Sequence, residues 1–243
     1  MMKRISAYFR PESIGETFAL LDRPGAVLIG GGTKLNLRTM AVPMSVVDLQ
    51  LARLDGIDRL DDGTLSIGAT TTLQQLVDGE EVPAVVREAA RRELPSTLRA
   101  QSTLGGTIVG ADAESELLTA LLVHDAVVSV ASPEGTEKME LGALLAHLPL
   151  SPHAIVTSVA IDTRGAASVA RTARTPADKA IVAAAARVGV DGRRRLALAG
   201  VASTPVLVEE TSELDPPGDF RGSGEYRRAL AGVLISRVIE GVS

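Results

Sequence analysis

The sequence predicts an α+β protein made of three consecutive units, over residues 1–55, 56–163 and 164–243. Near the start, short apolar runs alternate with helical patterns, which is typical of a small α/β unit. Further along, Asp61-Asp62-Gly63 and Pro133-Glu134-Gly135 each separate two strand-like runs, which predicts two β-hairpins in a larger α+β unit. After Asp162–Gly165, strands and helices follow in a third unit, a C-terminal antiparallel sheet with helices.

The first unit reads as strand, helix, strand. Ser13 and Glu16 match a capping box at the start of the helix, and Pro24-Gly25 ends it. The apolar run at 26–29 is typical of a buried parallel strand. Three glycines, a helical stretch (TKLNLRTM) and a strand over 45–49 complete this unit.

The second and third units follow from turn residues and apolar spacing. Thr71 or Thr72 caps one helix, Pro83 opens the next, and Ser115 caps a third over 115–122. The remaining predicted elements are the strand AIVTSVAI, the strand ASVARTA, a helix over ADKAIVAAAARV opened by Thr175 and Pro176, the strands RRLALAGVA and PVLVEE, and the helix EYRRALAGVLISRVIEGV.

Composition excludes several classes of function. The 243-residue chain is 45% hydrophobic and 23% charged with a net charge of −5, so we expect a folded protein that does not bind nucleic acid. It has no Cys, which excludes iron–sulfur clusters and zinc–thiolate sites held by this chain. Neither a membrane span nor a signal peptide is recognisable, and we therefore expect a cytoplasmic protein.

The first glycine cluster, Gly30-Gly31-Gly32, lies between a strand and a helical stretch. Glycines let backbone N–H groups approach an anion, so the cluster could hold a phosphate, but it could equally be a tight turn. A Walker loop is excluded because Leu35 follows Lys34. The dinucleotide fingerprint is only half met, since Leu35 occupies its third glycine position.

A second cluster, Gly105-Gly106, is flanked by Thr103 and Thr107. By itself it would be interpreted as a bulge or turn. Two such clusters in one chain favour one extended diphosphate ligand held from two sides, with amides and hydroxyls as donors.

Other polar residues have ordinary explanations. The histidines His124, His147 and His153 lack metal-ligand spacing, and no catalytic acid, base or nucleophile is predicted. The remaining charged groups are interpreted as acids that favour a helix start or as solvated faces: Asp112, Glu114 and Glu116; Arg193, Arg194 and Arg195; and Arg227, Arg228 and Arg237.

Taken together, the segments resemble the FAD-binding medium subunits of molybdenum hydroxylases, such as those of carbon monoxide dehydrogenase and xanthine dehydrogenase. The resemblance covers nearly the whole chain. Its most specific parts are VLIGGGTKL, LSIGATTTLQQL, RAQSTLGGTIVGADAESELLTALL and GSGEYRRALAGVLISRV, in that order. It implies an FAD-binding fold in the first two units.

The resemblance also implies the site residues. Both glycine motifs would hold the FAD pyrophosphate, and a Ser-acid pair would contact the ribityl region. The implied residues are Gly30, Gly31, Gly32, Thr33, Leu35, Thr103, Gly105, Gly106, Thr107, Ser115 and Glu116. Four features depart from the family pattern: Thr107 replaces an Asn, Glu116 replaces an Asp, Lys34 replaces an acid or small polar residue, and an aromatic-rich stretch is reduced to GALLAHLPLSPHA.

The implied function is electron transfer in a heteromeric complex. An iron–sulfur small subunit would pass electrons from a molybdopterin large subunit to FAD on this chain, and then to NAD, a quinone or another acceptor. One alternative is a family member that has lost FAD and serves as a structural or assembly subunit, since Thr107, Glu116 and Lys34 depart from the pattern. Another is a stand-alone flavin-dependent oxidoreductase.

Overall fold

The computed structural model describes residues 5–35, 44–209 and 213–243. It contains three sheets, each formed within one of the three predicted ranges. Helices pack against them, which confirms the α+β prediction. The predicted unit boundaries remain a prediction, and the helical stretch expected after the first glycines lies largely outside the described residues.

The first sheet is parallel, in the order β1-β3-β2. Ser13 caps the helix that precedes β2, and its side chain accepts a hydrogen bond from the Glu16 amide. The glycines therefore follow an edge strand, with its carboxyl end free to enter a turn. The elements are β1 (Ile5–Phe9), α1 (Ile14–Leu21), β2 (Ala26–Ile29), β3 (Met44–Asp48) and a 3-10 turn (Leu49–Leu51).

The second sheet is antiparallel, in the order β4-β5-β8-β6-β7, and both predicted hairpins lie in it. The main apolar core lies between this sheet and its helices, which position both the second glycine pair and Ser115. The elements are β4 (Ile57–Arg59), β5 (Thr64–Gly68), α2 (Leu73–Asp78), α3 (Ala84–Glu93), α4 (Ser96–Arg99), α5 (Leu104–Gly110), α6 (Glu116–Val123), β6 (Val127–Ser132), β7 (Gly135–Glu140), α7 (Leu141–Ala146) and β8 (Ile155–Asp162).

The third sheet is antiparallel, in the order β12-β11-β10-β9, and the last helix packs on one face. Helix α6 of the second unit packs on β10 and β11, so the sheet lies between helices. The elements are β9 (Ala166–Thr172), β10 (Val182–Val188), β11 (Arg194–Ala199), β12 (Val206–Val208) and α8 (Gly224–Glu240).

The helix predicted over ADKAIVAAAARV is wrong, because residues 182–188 form strand β10. Ala184 and Ala186 pack in the core shared with α8, whereas Ala185 packs in the core of the second unit. A strand covered on both faces reads as a continuous apolar run, and periodicity cannot distinguish such a run from a buried helix.

Candidate functional site

The first glycine cluster is the turn that follows β2. Gly32 has φ +70°, in the left-handed region that favours glycine. Among the described residues, the backbone N–H groups of Gly31, Gly32 and Thr33 have no backbone acceptor. Leu35 lies half-buried at the end of this segment. The turn therefore offers consecutive amide donors, which is the arrangement that binds an anion.

This turn packs directly on the segment before the second glycine pair. A Cβ at Gly31 would overlap the carbonyl oxygen of Gln101, and one at Gly30 would lie 2.5 Å from the Thr103 hydroxyl oxygen. The Ser102 hydroxyl donates to Thr33 Oγ1 at 3.0 Å. The structure thus brings together the two motifs that the sequence separates by about seventy residues.

The second glycine pair lies in the first turn of α5, rather than in a bulge or open turn. The Gly105 amide donates to the Ala69 carbonyl at 2.8 Å, and the Gly106 amide donates to Thr103 Oγ1 at 3.2 Å. Both amides therefore already donate to acceptors within the protein. A Cβ at Gly106 would meet only the Thr103 hydroxyl, at 3.0 Å, so this side of α5 is otherwise open.

Two departures from the family pattern have clear contacts. The Thr107 hydroxyl donates to the Thr103 carbonyl at 3.0 Å, so it satisfies the helix backbone and is buried. The side chain of Lys34 lies across Gly110 at the end of α5, where a Cβ would overlap it. Lys34 thereby joins the first glycine turn to the far end of the helix that carries the second pair.

Ser115 and Glu116 lie at the start of α6. Ser115 caps the helix by accepting from the Leu118 amide at 3.1 Å. Glu116 Oε1 lies 2.9 Å from Arg171 Nε of β9, and Oε2 lies 3.9 Å from Arg92 Nη1 of α3. Burial raises the pKa of the Glu116 carboxyl, and the two arginines oppose that rise without cancelling it. Glu116 therefore contacts both α3 and the third sheet.

Glu93, the last residue of α3, is a further partly buried acid that no sequence pattern predicted. Its Oε2 accepts from the Leu117 amide at 3.1 Å, in the first turn of α6. Burial raises the pKa of Glu93 to about 6. A small pocket beside it is lined by Arg92, Glu93, Glu114, Glu116, Lys179 and Ala180. No local pattern marks this residue, because its partner lies on another helix.

Two interpretations of arginines as solvated are also wrong. Arg227 is 3% exposed, and its guanidinium donates to the carbonyls of Ile181 and Gly200 and pairs with Asp219. Arg195 is half-buried and forms an ion pair with Asp125. Arg227 lies on α8 and Arg195 on β11, and both have partners in distant segments of the chain. Residue spacing in the sequence does not reveal such partners.

In residues 5–35, 44–209 and 213–243, no group of three or more His, Asp or Glu side chains is arranged to hold a metal ion. Within the same ranges, no helix is both long and apolar enough to cross a bilayer. His124 is buried, and its Nδ1 lies 2.7 Å from the Asp162 carbonyl oxygen.

Comparison with known proteins adds independent information. A family model described as the FAD binding domain in molybdopterin dehydrogenase matches residues 3–162. The protein YgfM of Escherichia coli K12 is 31% identical over 251 residues, covering 96% of this chain and 94% of that protein. The carbon monoxide dehydrogenase medium chain of Afipia carboxidovorans is 27% identical over 277 residues, covering 96% and 95%.

The fold is also found among solved structures. A chain of reconstituted CO dehydrogenase from Oligotropha carboxidovorans is 25% identical, with a TM-score of 0.87 over 100% of this chain and 99% of that chain. The similarity therefore includes the third sheet, which lies beyond the residues that the family model matches.

Proposed function

This chain belongs to the family of FAD-binding domains of molybdopterin dehydrogenases, and from that premise we propose that it carries electrons from an iron–sulfur partner, through FAD, to an external acceptor. The family resemblance drawn from the sequence is thereby confirmed. As a member, the chain is an oxidoreductase subunit whose cofactor is FAD. The path of the electrons and the partners are our proposal.

The observation that carries the proposal is the contact between the two glycine motifs. Gly30 and Gly31 lie so close to Gln101 and Thr103 that no side chain fits between them. Among the described residues, the amides of positions 31–33 have no backbone acceptor, and the first turn and the open face of Gly106 both lie against the Thr103 hydroxyl. Consecutive amides next to a face without side chains fit a diphosphate group, so the residues present suit FAD.

Each implied site residue then has a distinct task. The first turn would donate amides to the diphosphate, while Leu35 would end the turn. Thr103 would support the first turn, because Gly30 packs directly on its hydroxyl group. Gly105 and Thr107 would fix the start of α5, since they donate to the carbonyls of Ala69 and Thr103. Ser115 and Glu116 would line the ribityl side, with the Glu116 carboxylate accepting hydroxyl hydrogen bonds.

Electron transfer needs little further chemistry from this chain. When bound, FAD accepts and releases electrons, and the protein supplies binding and orientation. Because the chain has no Cys, iron–sulfur clusters that deliver electrons would lie on a small partner subunit. A large molybdopterin subunit would oxidise the substrate, and NAD or a quinone would be the acceptor.

The test is the flavin content of the purified chain and of matched variants. Gly106→Ala adds a methyl group on the open face and should weaken FAD binding, whereas Gly15→Ala, also in the first turn of a helix, meets nothing within 4 Å and should not. Gly31→Val should abolish flavin retention, because its side chain overlaps the Gln101 carbonyl.

Three results would contradict the proposal. A folded wild-type chain that binds no added FAD would favour the structural or assembly subunit. Full flavin content in folded Gly31→Val and Gly106→Ala would place the cofactor elsewhere. A flavin-loaded chain that stays separate from coexpressed partner subunits and reduces an acceptor alone would favour the stand-alone oxidoreductase.

A further inference from the structure

The side chain of Arg171 connects the third sheet to the second unit. It is 12% exposed, on strand β9. Its Nη1 donates to the Pro176 carbonyl at 3.1 Å, and its Nη2 donates to the Asp178 carbonyl. The third nitrogen, Nε, lies 2.9 Å from Glu116 Oε1. One planar guanidinium therefore binds the loop that follows its own strand and the first turn of α6 at the same time.

Arg171 is the nearer of the two cations that contact the Glu116 carboxylate. The other cation, Arg92, lies farther away, at 3.9 Å, and also pairs with Glu88 at 2.5 Å. Glu116 is 9% exposed, so water contributes little to its solvation. A carboxylate has several acceptor sites, and Oε2 retains capacity for a ligand hydroxyl while Oε1 faces Arg171.

Glu116 and Arg171 lie on opposite sides of the end of the matched FAD-binding domain. Glu116 is within residues 3–162, which the family model matches, whereas Arg171 lies beyond it. We propose that Arg171 is a positioning residue for the FAD site: by holding the Glu116 carboxylate, it makes the third unit complete the ribityl side of that site. This inference rests on the proposed function, in which Glu116 lines that side.

The neighbouring ion pairs do not offer the same connection. Lys179 pairs with Asp112, and Arg221 pairs with Glu114, so the third unit supplies a cation to each acid around the start of α6. Of these acids, only Glu116 is an implied FAD contact. Arg171 is therefore the residue of the third unit that can influence the FAD site through an acid.

The experiment compares FAD with ADP, which carries the adenosine and diphosphate but no ribityl group. Full-length apo-protein is titrated with FAD by quenching of flavin fluorescence, and ADP is measured as a competitor. Arg171→Gln should weaken FAD roughly five- to tenfold and leave ADP unchanged, because only the ribityl contact is lost. The matched control is Arg174→Gln, whose exposed side chain pairs with Asp178 near the same loop.

A double-mutant cycle identifies the route. Glu116→Gln should weaken FAD to a similar extent, and the Glu116→Gln/Arg171→Gln double variant should be no weaker than either single variant. Arg171→Lys, which keeps the charge, should recover part of the affinity. Thermal unfolding of each variant checks that it is folded.

The outcomes separate this inference from the proposed function. If the wild-type chain binds FAD and Arg171→Gln binds it equally well, or if FAD and ADP weaken together, the positioning role is overturned while the proposed function stands. If the losses of FAD affinity add up in the double variant, Arg171 does not act through Glu116, and that part of the inference is overturned. A wild-type chain that binds no FAD would overturn both.

Discussion

The second unit contacts its two neighbours in chemically different ways. Towards the first unit, backbone lies on backbone at Gly31 and Gln101, and two hydroxyls meet at Thr33 and Ser102. Towards the third unit, carboxylates of the second unit meet cations of the third. These pairs include Asp112–Lys179, Glu114–Arg221, Glu116–Arg171, Asp125–Arg187, Asp125–Arg195 and Asp162–Arg187.

The difference shows two ways of joining units of one chain. Close backbone contact needs only the absence of a side chain, so neither pH nor salt alters it directly. A buried ion pair needs both partners, because an isolated buried charge is strongly destabilising. Hydrogen bonds from Arg164, followed by those from Arg187, hold the pKa of Asp162 far below its usual range. The charged contact is therefore the one that single substitutions break most severely.

The largest expected effect is at Arg187. This side chain is fully buried and contacts Asp125 at 2.8 Å and Asp162 at 2.7 Å. Arg187→Met should lower the free energy of unfolding by about 2–4 kcal/mol, because two backbone carbonyls lose their donor and both carboxylates lose their shared cation. Denaturant unfolding measures this, with the exposed Arg193→Gln as the control. Equal losses in the two variants would show that the charged contact carries little stability.

The next effect is at the backbone contact. Gly31→Ala should cost about 1–3 kcal/mol, because the Gln101 carbonyl cannot move away without shifting the α5 segment. The control, Gly232→Ala, lies in α8 with nothing within 4 Å and should stabilise the protein by about 0.5–1 kcal/mol. Both changes should be the same in low and high salt. A salt-dependent loss for Gly31→Ala would mean that charge also contributes there.

Glu93 tests the charged boundary through pH. Burial raises its pKa to about 6, so the folded protein holds the proton to a higher pH than the unfolded chain does. The stability that this group contributes is full below about pH 4.5 and is lost as pH rises through 6. Glu93→Gln, which stays neutral, should therefore gain about 1–2 kcal/mol over wild type above pH 7 and little near pH 4.5.

The control for that prediction is Glu88→Gln on the same helix, whose side chain is 42% exposed. Chemical denaturation at pH 4.5 and 7.5 distinguishes the two. A gain for Glu93→Gln that does not change with pH would mean that ionisation of this carboxyl is not the cause.

The smallest effect is expected at a polar side-chain contact between the first and second units. Asp22, which directly follows α1, has Oδ1 2.9 Å from His153 Nε2, but both side chains are exposed. Asp22→Asn should change the free energy of unfolding by less than about 0.5 kcal/mol. A loss as large as that of Gly31→Ala would remove the distinction between the two contacts.

Local chemistry determined most of the elements. Ser13, Thr72 and Ser115 cap helices as their sequence contexts predict, since a cap depends on residues only three or four positions away. The hairpin turns and the parallel strand before the glycines follow from turn residues and apolar runs for the same reason. The implied role of each glycine in binding FAD remains a prediction.

Tertiary structure decided what depends on distant partners. Residues 182–188 became a strand because α6 and α8 cover both faces, which overrides the helical preference of alanine. Arg227 is buried because the carbonyls of Ile181 and Gly200 and the Asp219 carboxylate satisfy it. The approach of Gly31 to Gln101 and the pairing of Glu116 with Arg171 likewise exist only once separate units pack, because no local spacing encodes which residues will meet.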